Sequence, residues 1–344
     1  MQSKFHFASD NTSGLCPEAW NALQAANEGY CASYGDDGST REASEALREL
    51  FETDCDIYFV FNGTAANSLA LAALCQSYHS VIVHEFAHVE TDECGAPEFF
   101  SNGTKILVAQ DHGKVRPETV ERLVTRRSDI HYPKPRVLSL ALPTELGLVY
   151  RPEEIAALTD AARRHGLKVH VDGARFANAV ATLGVAPKTV TWQAGVDVLC
   201  FGGTKAGMGF AEAVIFFDRE LSVEFAWRCK QAGQLASKMR FLAAPWAPLL
   251  RDGGWLRYAR QANECARRLG EDLAKLPGVR LLYPVEANGV FVELPPHVAE
   301  KLRNSGWRFY TFIGDGARFM CSWNTTQEDV AALLADVESA LATS

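Results

Sequence analysis

The chain has 344 residues, of which 47% are hydrophobic and 22% charged, and its formal net charge at pH 7 is −8. This composition is ordinary for a globular protein and, without a basic patch, argues against a nucleic-acid partner. No apolar run approaches the roughly 20 residues of a membrane-spanning helix, and the N-terminal residues lack the apolar core of a signal peptide, so we expect no membrane partner.

The nine cysteines are widely spaced and never occur as a Cys-x-x-Cys pair. Their odd number and scatter argue against a disulfide framework and against a zinc ribbon. Thiols used as small apolar side chains are typical of a reducing compartment. The sequence therefore predicts a cytoplasmic protein.

Helices and strands alternate in the predicted elements of the first two thirds of the chain. Two helices come first, at 17–27 and 41–53. Apolar runs then indicate strands at 56–61, 80–83, 105–109, 136–142, 167–171, 196–201 and 212–217. Helical periodicity falls between them at 65–77, 118–127, 152–165 and 174–183. This regular alternation of strands and helices predicts an α/β domain, in which helices cover both faces of a mainly parallel, seven-stranded-type sheet.

The pattern changes near residue 243. A long amphipathic helix is followed by shorter elements, and the last helix has Thr326 at its N-cap. The later elements are strands at 279–283, 289–294, 308–312 and 317–323 and helices at 255–276, 296–304 and 326–342. We therefore expect an N-terminal segment 1–16, a large domain 17–242 and a small α+β domain 243–344, with the helix 255–276 as a bridge.

A glycine turn with a hydroxyl residue follows the first predicted strand. Gly63 and Thr64 precede the helix at 65–77, where backbone N–H groups and the positive end of the helix dipole favour an anion. Both residues are candidate phosphate ligands. A plain helix cap is the alternative interpretation of such a turn.

Charged residues follow two later strands, at the edge where ligands bind in open parallel sheets. Asp172 comes directly after the strand at 167–171, with Arg175 three residues on, and Lys205 follows the strand at 196–201. A lysine in such a crevice is partly desolvated, which lowers its pKa and frees its amine to form a Schiff base. A surface salt bridge and an ordinary loop lysine are the alternatives.

The three motifs together match the requirements of one cofactor, pyridoxal 5'-phosphate (PLP). Its phosphate needs N–H donors, its pyridine nitrogen needs an acid, and its aldehyde needs an amine. The candidate phosphate ligands Gly63 and Thr64, followed in the chain by Asp172 and then Lys205, therefore predict a PLP enzyme.

The chain resembles the threonine aldolases of the PLP fold-type I superfamily, which is also called aspartate aminotransferase-like. The resemblance covers nearly the whole length, and the low-specificity branch that acts on L-amino acids is the most similar. The motifs that carry it are Phe7-Ala8-Ser9-Asp10, Tyr34-Gly35-Asp36-Asp37, Asn62-Gly63-Thr64-Ala65-Ala66-Asn67, His170-Val171-Asp172-Gly173-Ala174-Arg175 and Gly203-Thr204-Lys205.

The resemblance implies a set of cofactor contacts. Lys205 would carry the cofactor, Asp172 would meet its pyridine nitrogen, and Arg175 would meet its phenolic oxygen. His88 would stack on the ring, and the glycine turn would bind the phosphate.

The implied activity is retro-aldol cleavage of L-threonine, L-allo-threonine and related β-hydroxy-α-amino acids to glycine and an aldehyde, a carbon–carbon lyase reaction. Arg318 would grip the substrate carboxylate together with Ser9, a bidentate task suited to guanidinium. His131 matches a second active-site histidine. It is the first candidate for the base that takes the β-hydroxyl proton, and His88 is the second.

The resemblance also implies a homo-oligomer, a dimer or a dimer of dimers, with sites shared between subunits. Tyr34 and one or more of Lys230, Lys238 and Arg240 would reach the site of a neighbouring subunit. The segment Leu142-Pro143-Thr144-Glu145 departs from the Asn-Thr-His-like pattern of the family at this strand end.

Two other functions stay open on the sequence alone. One is another lyase of the same fold, which eliminates a β-substituent or prefers phenylserine. The other is a zinc hydrolase, because His84-Glu85-Phe86-Ala87-His88 spells the His-Glu-x-x-His signature. That chemistry needs both histidines on one helical face, whereas the motif follows a strand-like run, so we expect no metal.

Overall fold

Two β-sheets organise the fold in the computed structural model, which describes residues 3–312 and 316–342. Within these ranges the larger sheet has seven strands: β1 (Asp56–Val60), β2 (His79–His84), β3 (Lys105–Ala109), β4 (Lys134–Ala141), β5 (Lys168–Gly173), β6 (Val198–Gly202) and β7 (Glu212–Phe216). Their order is β1-β7-β6-β5-β4-β2-β3, and only β7 runs antiparallel to its neighbours. The predicted mainly parallel sheet is confirmed.

Helices cover both faces of this sheet. They are α1 (Pro17–Ala26), α2 (Gly38–Phe51), α3 (Gly63–Leu74), α4 (His88–Thr91), α5 (Ala96–Phe100), α6 (Pro117–Thr125), α7 (Pro152–Arg164), α8 (Phe176–Leu183), α9 (Phe225–Gln231), α10 (Arg240–Ala243) and α11 (Trp246–Arg251). Successive side chains of a strand point to opposite faces. Strand β6 accordingly places Leu199 and Phe201 in one buried core and Val198 and Cys200 in another.

A smaller, antiparallel sheet lies in the C-terminal part of the chain. Its strands in the described ranges are β8 (Arg280–Leu281), β9 (Gly289–Glu293), β10 (Tyr310–Phe312) and β11 (Gly316–Met320), in the order β10-β11-β9-β8. The accompanying helices are α12 (Gly254–Leu273), α13 (Pro296–Asn304) and α14 (Gln327–Ala342). Oγ1 of Thr326 accepts the N–H of Asp329 at 3.2 Å, which confirms the predicted N-cap.

The N-terminal segment packs with the smaller sheet. Phe7 is fully buried in the core of that sheet, where its ring lies beside those of Trp307 and Phe319. The carbonyl oxygen of Phe7 accepts the N–H of Met320 in β11 at 2.9 Å. The first and last parts of the chain therefore share one core.

The change from the core of the larger sheet to that of the smaller one falls within α12. Trp255 and Ala259 pack in the first of these cores, as does Leu249 of the preceding helix, whereas Ala262 packs in the second. We therefore propose α12 as the bridge between a large and a small domain. The boundaries at residues 16 and 242 stay predictions.

Some elements differ in extent from those predicted. Helix α2 begins at Gly38 rather than at residue 41, because the side chain of Asp37 accepts the N–H of Thr40 at 2.8 Å and caps the helix earlier. The strand expected at 279–283 is reduced to two residues, β8. Helices α4, α5, α9, α10 and α11 are missing from the prediction because one or two turns show little hydrophobic periodicity. No helix in the described part of the chain is long and apolar enough to span a membrane.

Candidate active site

The carboxyl ends of β5 and β6 bring Asp172 and Lys205 to the same edge of the larger sheet. Asp172 lies in β5, and Lys205 follows the neighbouring strand β6 after a short glycine turn. A Cβ atom at Gly202 would lie 2.4 Å from the carbonyl oxygen of Ala174, so only glycine allows this approach. The tight packing of the turn thus fixes where Lys205 emerges.

Lys205 has the properties of a reactive amine. Burial lowers its pKa, and the positive charge of Arg175 lowers it further, although the carboxylates of Asp10 and Asp172 oppose the shift. A lowered pKa leaves more of the amine unprotonated near neutrality, which is the form that attacks a carbonyl carbon.

A chain of hydrogen bonds links Asp172 to His88 through two buried side chains. The amide nitrogen of Asn67 donates to Oδ2 of Asp172 and to Oε1 of Glu93, at 2.9 Å in each case. The same Glu93 oxygen lies 2.8 Å from Nδ1 of His88. Because a carboxylate oxygen accepts, we assign the proton of neutral His88 to Nδ1, which leaves the lone pair on Nε2.

Glu93 also influences the charge of His88. Its hydrogen bond raises the pKa of His88 despite the opposite effect of burial, and the negative charge of Asp172 acts in the same direction. Burial raises the pKa of Glu93 itself, against the hydrogen bonds from His88 and Asn67. Glu93 therefore stabilises the protonated form of His88.

Arg175 is held by Asp10 from the N-terminal segment. Its Nε and Nη2 atoms donate to the two carboxylate oxygens of Asp10 at 2.6 and 2.8 Å, a bidentate pair. Nδ2 of Asn288, just before β9, donates to Asp10 at 3.2 Å. Burial would raise the pKa of Asp10, but the charges of Arg175 and Lys205 outweigh it and hold the pKa below its ordinary value.

Arg318 and Ser9 lie on this same side of the site. Burial and the charge of Arg175 lower the pKa of Arg318 in β11, and its guanidinium carbon lies 5.2 Å from the centre of the Tyr310 ring. The buried hydroxyl of Ser9 lies 3.5 Å from a carboxylate oxygen of Asp10. Two neighbouring guanidinium groups favour an anionic ligand such as a substrate carboxylate.

The start of α3 offers backbone donors. The side-chain oxygen of Asn62 accepts the N–H of Ala65 at 2.9 Å and caps the helix. The N–H groups of Gly63 and Thr64 belong to the first turn, where the helix supplies no acceptor of its own. Together with the positive end of the helix dipole they can hold a phosphate.

Two further acids, Glu145 and Glu212, lie close to these groups. Burial raises the pKa of each to about 7. Oε1 of Glu145 accepts the backbone N–H of His88 at 2.9 Å, and Oε2 of Glu212 accepts that of Gly203 at 3.2 Å. The site therefore contains carboxyl groups that are readily protonated near neutrality.

Several of these acids and amides have no role that the sequence alone predicts. Asp10 and Asn67 stand inside the motifs that carry the family resemblance, so a signal for both was present. Glu212 opens a buried, otherwise apolar strand, which is also a signal. Glu145 ends Leu142-Pro143-Thr144-Glu145, the segment after β4 that departs from the family pattern, so a signal was present there too. Glu93 does not directly follow a predicted strand and carries no such signal.

His131 does not join this group. It is exposed and precedes β4, at the amino end of the strand and so at the opposite edge of the sheet. Strand β4 has 8 residues, which span about 26 Å at roughly 3.3 Å per residue. The structure therefore does not bring His131 to the site of its own chain, and its role as the base stays a prediction.

The residues expected to serve a neighbouring subunit lie near the surface. Tyr34 and Lys230 are exposed, and Nζ of Lys230 lies 4.7 Å from the centre of the Tyr34 ring. Arg240 donates to the carbonyl oxygen of Ala26 at 2.9 Å and to Sγ of Cys31 at 3.1 Å, within its own chain. Their contribution to a second subunit stays a prediction.

The two histidines of the His-Glu-x-x-His motif lie in different elements. His84 ends β2, and its Nε2 lies 2.8 Å from the carbonyl oxygen of Asp111, whereas His88 opens α4 and contacts Glu93. A zinc hydrolase needs both histidines on one helix face. In residues 3–312 and 316–342, no group of three or more His, Cys, Asp and Glu side chains is arranged to hold a metal. The geometry does not favour the zinc hydrolase alternative.

The assembled residues fit PLP chemically. Oδ1 of Asp172 accepts the N–H of Ala174 at 2.9 Å while Oδ2 accepts from Asn67, so both oxygens act as acceptors, as suits a carboxylate. A carboxylate is what a protonated pyridine nitrogen requires. Lys205 supplies the amine, and the start of α3 supplies phosphate donors.

A mainly parallel sheet with this lysine and carboxylate at its carboxyl edge has the architecture of PLP fold type I, with a small C-terminal domain. The chain belongs to the beta-eliminating lyase family, whose model matches residues 6–295. It is 62% identical over 333 residues to the low specificity L-threonine aldolase of Pseudomonas aeruginosa, with 96% of each chain covered. The corresponding protein of a Pseudomonas species is 59% identical over 337 residues, with 97% of each chain covered. A Leishmania major threonine aldolase structure matches with a TM-score of 0.92 at 26% identity, over 98% of this chain and 99% of that one.

Proposed function

We propose that this chain is a PLP-dependent aldehyde-lyase that cleaves L-threonine, L-allo-threonine and related β-hydroxy-α-amino acids to glycine and an aldehyde. The observation that carries the proposal is the placement of Lys205 and Asp172 at the carboxyl ends of neighbouring strands. The identity of about 60% to two proteins named low specificity L-threonine aldolase supports the substrate class.

Four residues would hold the cofactor in this proposal. Lys205 would bind its aldehyde carbon, Asp172 its pyridine nitrogen, and the N–H groups of Gly63 and Thr64 its phosphate. When bound, PLP supplies a carbonyl for the substrate amine and a ring that accepts the electrons of the breaking Cα–Cβ bond.

The remaining tasks fall to side chains of the protein. Arg318 and Ser9 bind the substrate carboxylate, which fixes the orientation of the Cα–Cβ bond. Nε2 of His88 accepts the proton of the β-hydroxyl group, directly or through a water molecule. Glu93 accepts a hydrogen bond from the N–H at Nδ1 of His88 and so stabilises the imidazolium that forms. His88 is the base we propose, since His131 lies at the other edge of the sheet.

Replacing Glu93 with glutamine is expected to shift the pH dependence of cleavage. The pKa of His88 falls when the carboxylate is lost, so the acid limb of the kcat profile, where His88 becomes protonated, moves to lower pH. We also expect kcat to fall by up to about 100-fold, at the low end of what a positioned base contributes. The control is Glu90→Gln, because Glu90 is exposed and lies in α4, the helix that begins at His88. An unmoved acid limb in Glu93→Gln would contradict the role of Glu93.

Replacing Arg318 with lysine is expected to weaken substrate binding. A lysine is a point charge that cannot form the bidentate pair. Loss of one hydrogen bond to a charged group costs about 1.5–3 kcal/mol, so KM for threonine should rise by about 10- to 100-fold. The visible absorbance of bound cofactor should not change. Arg308→Lys, at an exposed position before β10, serves as the control, and an unchanged KM in Arg318→Lys would rule out carboxylate binding by Arg318.

Two substrates separate aldol cleavage from β-elimination. We expect purified protein with PLP to form glycine and acetaldehyde from threonine. A β-chloro amino acid should yield pyruvate only if the chain eliminates β-substituents. Pyruvate from the chloro compound, without glycine from threonine, would refute the aldolase activity.

We further propose that the enzyme is a cytoplasmic homo-oligomer, a dimer or a dimer of dimers. All nine cysteines are free thiols, which fits a reducing compartment. The exposed pair of Tyr34 and Lys230 is available for a neighbouring site. Light scattering on a sizing column measures the subunit number directly.

A further inference from the structure

Glu145 is placed in the site by a turn with several hydrogen bonds after β4. The N–H of Thr144 donates to the carbonyl oxygen of Leu148, and that of Gly147 to the carbonyl oxygen of Thr144, each at 2.8 Å. The N–H of Leu148 also donates to Oγ1 of Thr144 at 3.2 Å. The Glu145 side chain is therefore positioned by an ordered turn, and its Oε1 accepts the backbone N–H of His88 at 2.9 Å.

Burial and the charge of Asp172 favour the neutral form of Glu145. Both oxygens of Asp172 accept N–H groups, as suits a carboxylate, and a negative charge there opposes a second one nearby. Burial and this charge raise the pKa of Glu145 to about 7. His88 and Arg175 act in the opposite direction, and the phenol of Tyr150 also interacts with Glu145.

A neutral carboxyl group has a donor that a carboxylate lacks. Oε1 of Glu145 serves as the acceptor for His88, so we place the hydroxyl hydrogen on Oε2. The Glu145 side chain is only partly covered by the protein, and it lies at the edge that Asp172 and His88 occupy. A hydrogen bond from Oε2 to the cofactor would favour the protonated form of Glu145 still more.

We propose that Glu145 faces the bound cofactor as a neutral carboxylic acid and donates a hydrogen bond to it. The proposal rests on the function proposed above and adds a cofactor-binding residue to it. When PLP enters a protein whose Glu145 is ionised, one proton is taken up from solvent onto Oε2, and no other bond changes at this residue. A purely structural Glu145 would need only one acceptor oxygen, and its protonation would not be coupled to the cofactor.

The test compares PLP binding by wild type and by Glu145→Gln across a range of pH. Glutamine keeps an acceptor and an N–H donor but cannot ionise. The dissociation constant of PLP is measured by titrating cofactor-free protein and following visible absorbance. We expect the ratio of wild-type to variant dissociation constants to be constant at acidic pH. Above the pKa of Glu145 it should rise about tenfold per pH unit, as expected for one linked proton.

The ratio removes contributions that both proteins share, such as ionisation of Lys205 and of the cofactor itself. Glu286→Gln is the matched control, because Oε2 of Glu286 accepts the N–H of Val149 at 2.7 Å near the same turn but pairs with Arg151. Its ratio to wild type should stay flat with pH. Glu145→Ala gives a second variant without an ionisable group, for use if the glutamine variant does not fold.

Two results would overturn the role of Glu145. One is a flat ratio for Glu145→Gln over the whole pH range, and the other is weak PLP binding by this variant even at acidic pH. Failure of the proposed function gives a different result, because the absorbance of PLP would then not change when wild-type protein is added at any pH.

Discussion

The Lys205→Ala variant is expected to lose both the visible absorbance of bound PLP and the cleavage of threonine. A methyl group has no amine with which to attack the cofactor aldehyde. Borohydride should fix PLP to the wild-type protein and leave the variant unlabelled. Glycine formation by the variant should fall to the background rate.

The control for this prediction is Lys275→Ala, at a surface lysine whose side chain is 71% exposed. It should keep the spectrum and the rate of wild type. Full activity of Lys205→Ala, or borohydride labelling of a different lysine in wild type, would remove the basis of the proposed function.

The Asp172→Asn variant is expected to keep PLP and lose most of its turnover. An amide has one acceptor oxygen, so it cannot serve both Ala174 and Asn67 as the carboxylate does. It also lacks the charge that keeps the pyridine nitrogen protonated. Removal of one preorganised electrostatic group costs about 10²- to 10³-fold in kcat, and we expect a loss of this size.

Asp197→Asn is the matched control for Asp172→Asn. Asp197 lies at the opposite edge of β5 and β6, where its Oδ2 accepts the N–H of Val169 at 2.7 Å. This control should leave kcat unchanged. Unchanged turnover in Asp172→Asn, with cofactor bound, would show that the pyridine nitrogen has no need of the carboxylate.

The strand rhythm allows most of the larger sheet to be predicted from sequence. Buried strands are continuous apolar runs, as in β6, where all five residues are buried. Short helices such as α10 and α11 are not predicted from the sequence, because packing decides their positions. Trp246 of α11, for example, packs in the core of the larger sheet. The two-residue strand β8 carries too little pattern to fix its length.

The site residues that follow strands were predictable, because the carboxyl ends of parallel strands lie at the same edge of the sheet. Lys205, Asp172 and the start of α3 are of this kind. The pairing of Asp10 with Arg175 was not, since the two are 165 residues apart and only the fold joins them. His131 differs from these residues, because it stands just before β4 and so lies at the amino edge of the sheet.

The shared core of the two chain ends has a consequence for biosynthesis. Arg175 receives its partner, Asp10, from a segment that is anchored by Trp307 and Met320. A nascent polypeptide that ends before Trp307 already contains Lys205 and Asp172. Nothing yet holds Asp10 beside the guanidinium group of Arg175 in such a polypeptide. The ribosome must therefore deliver the chain through Met320 before this catalytic edge can be finished.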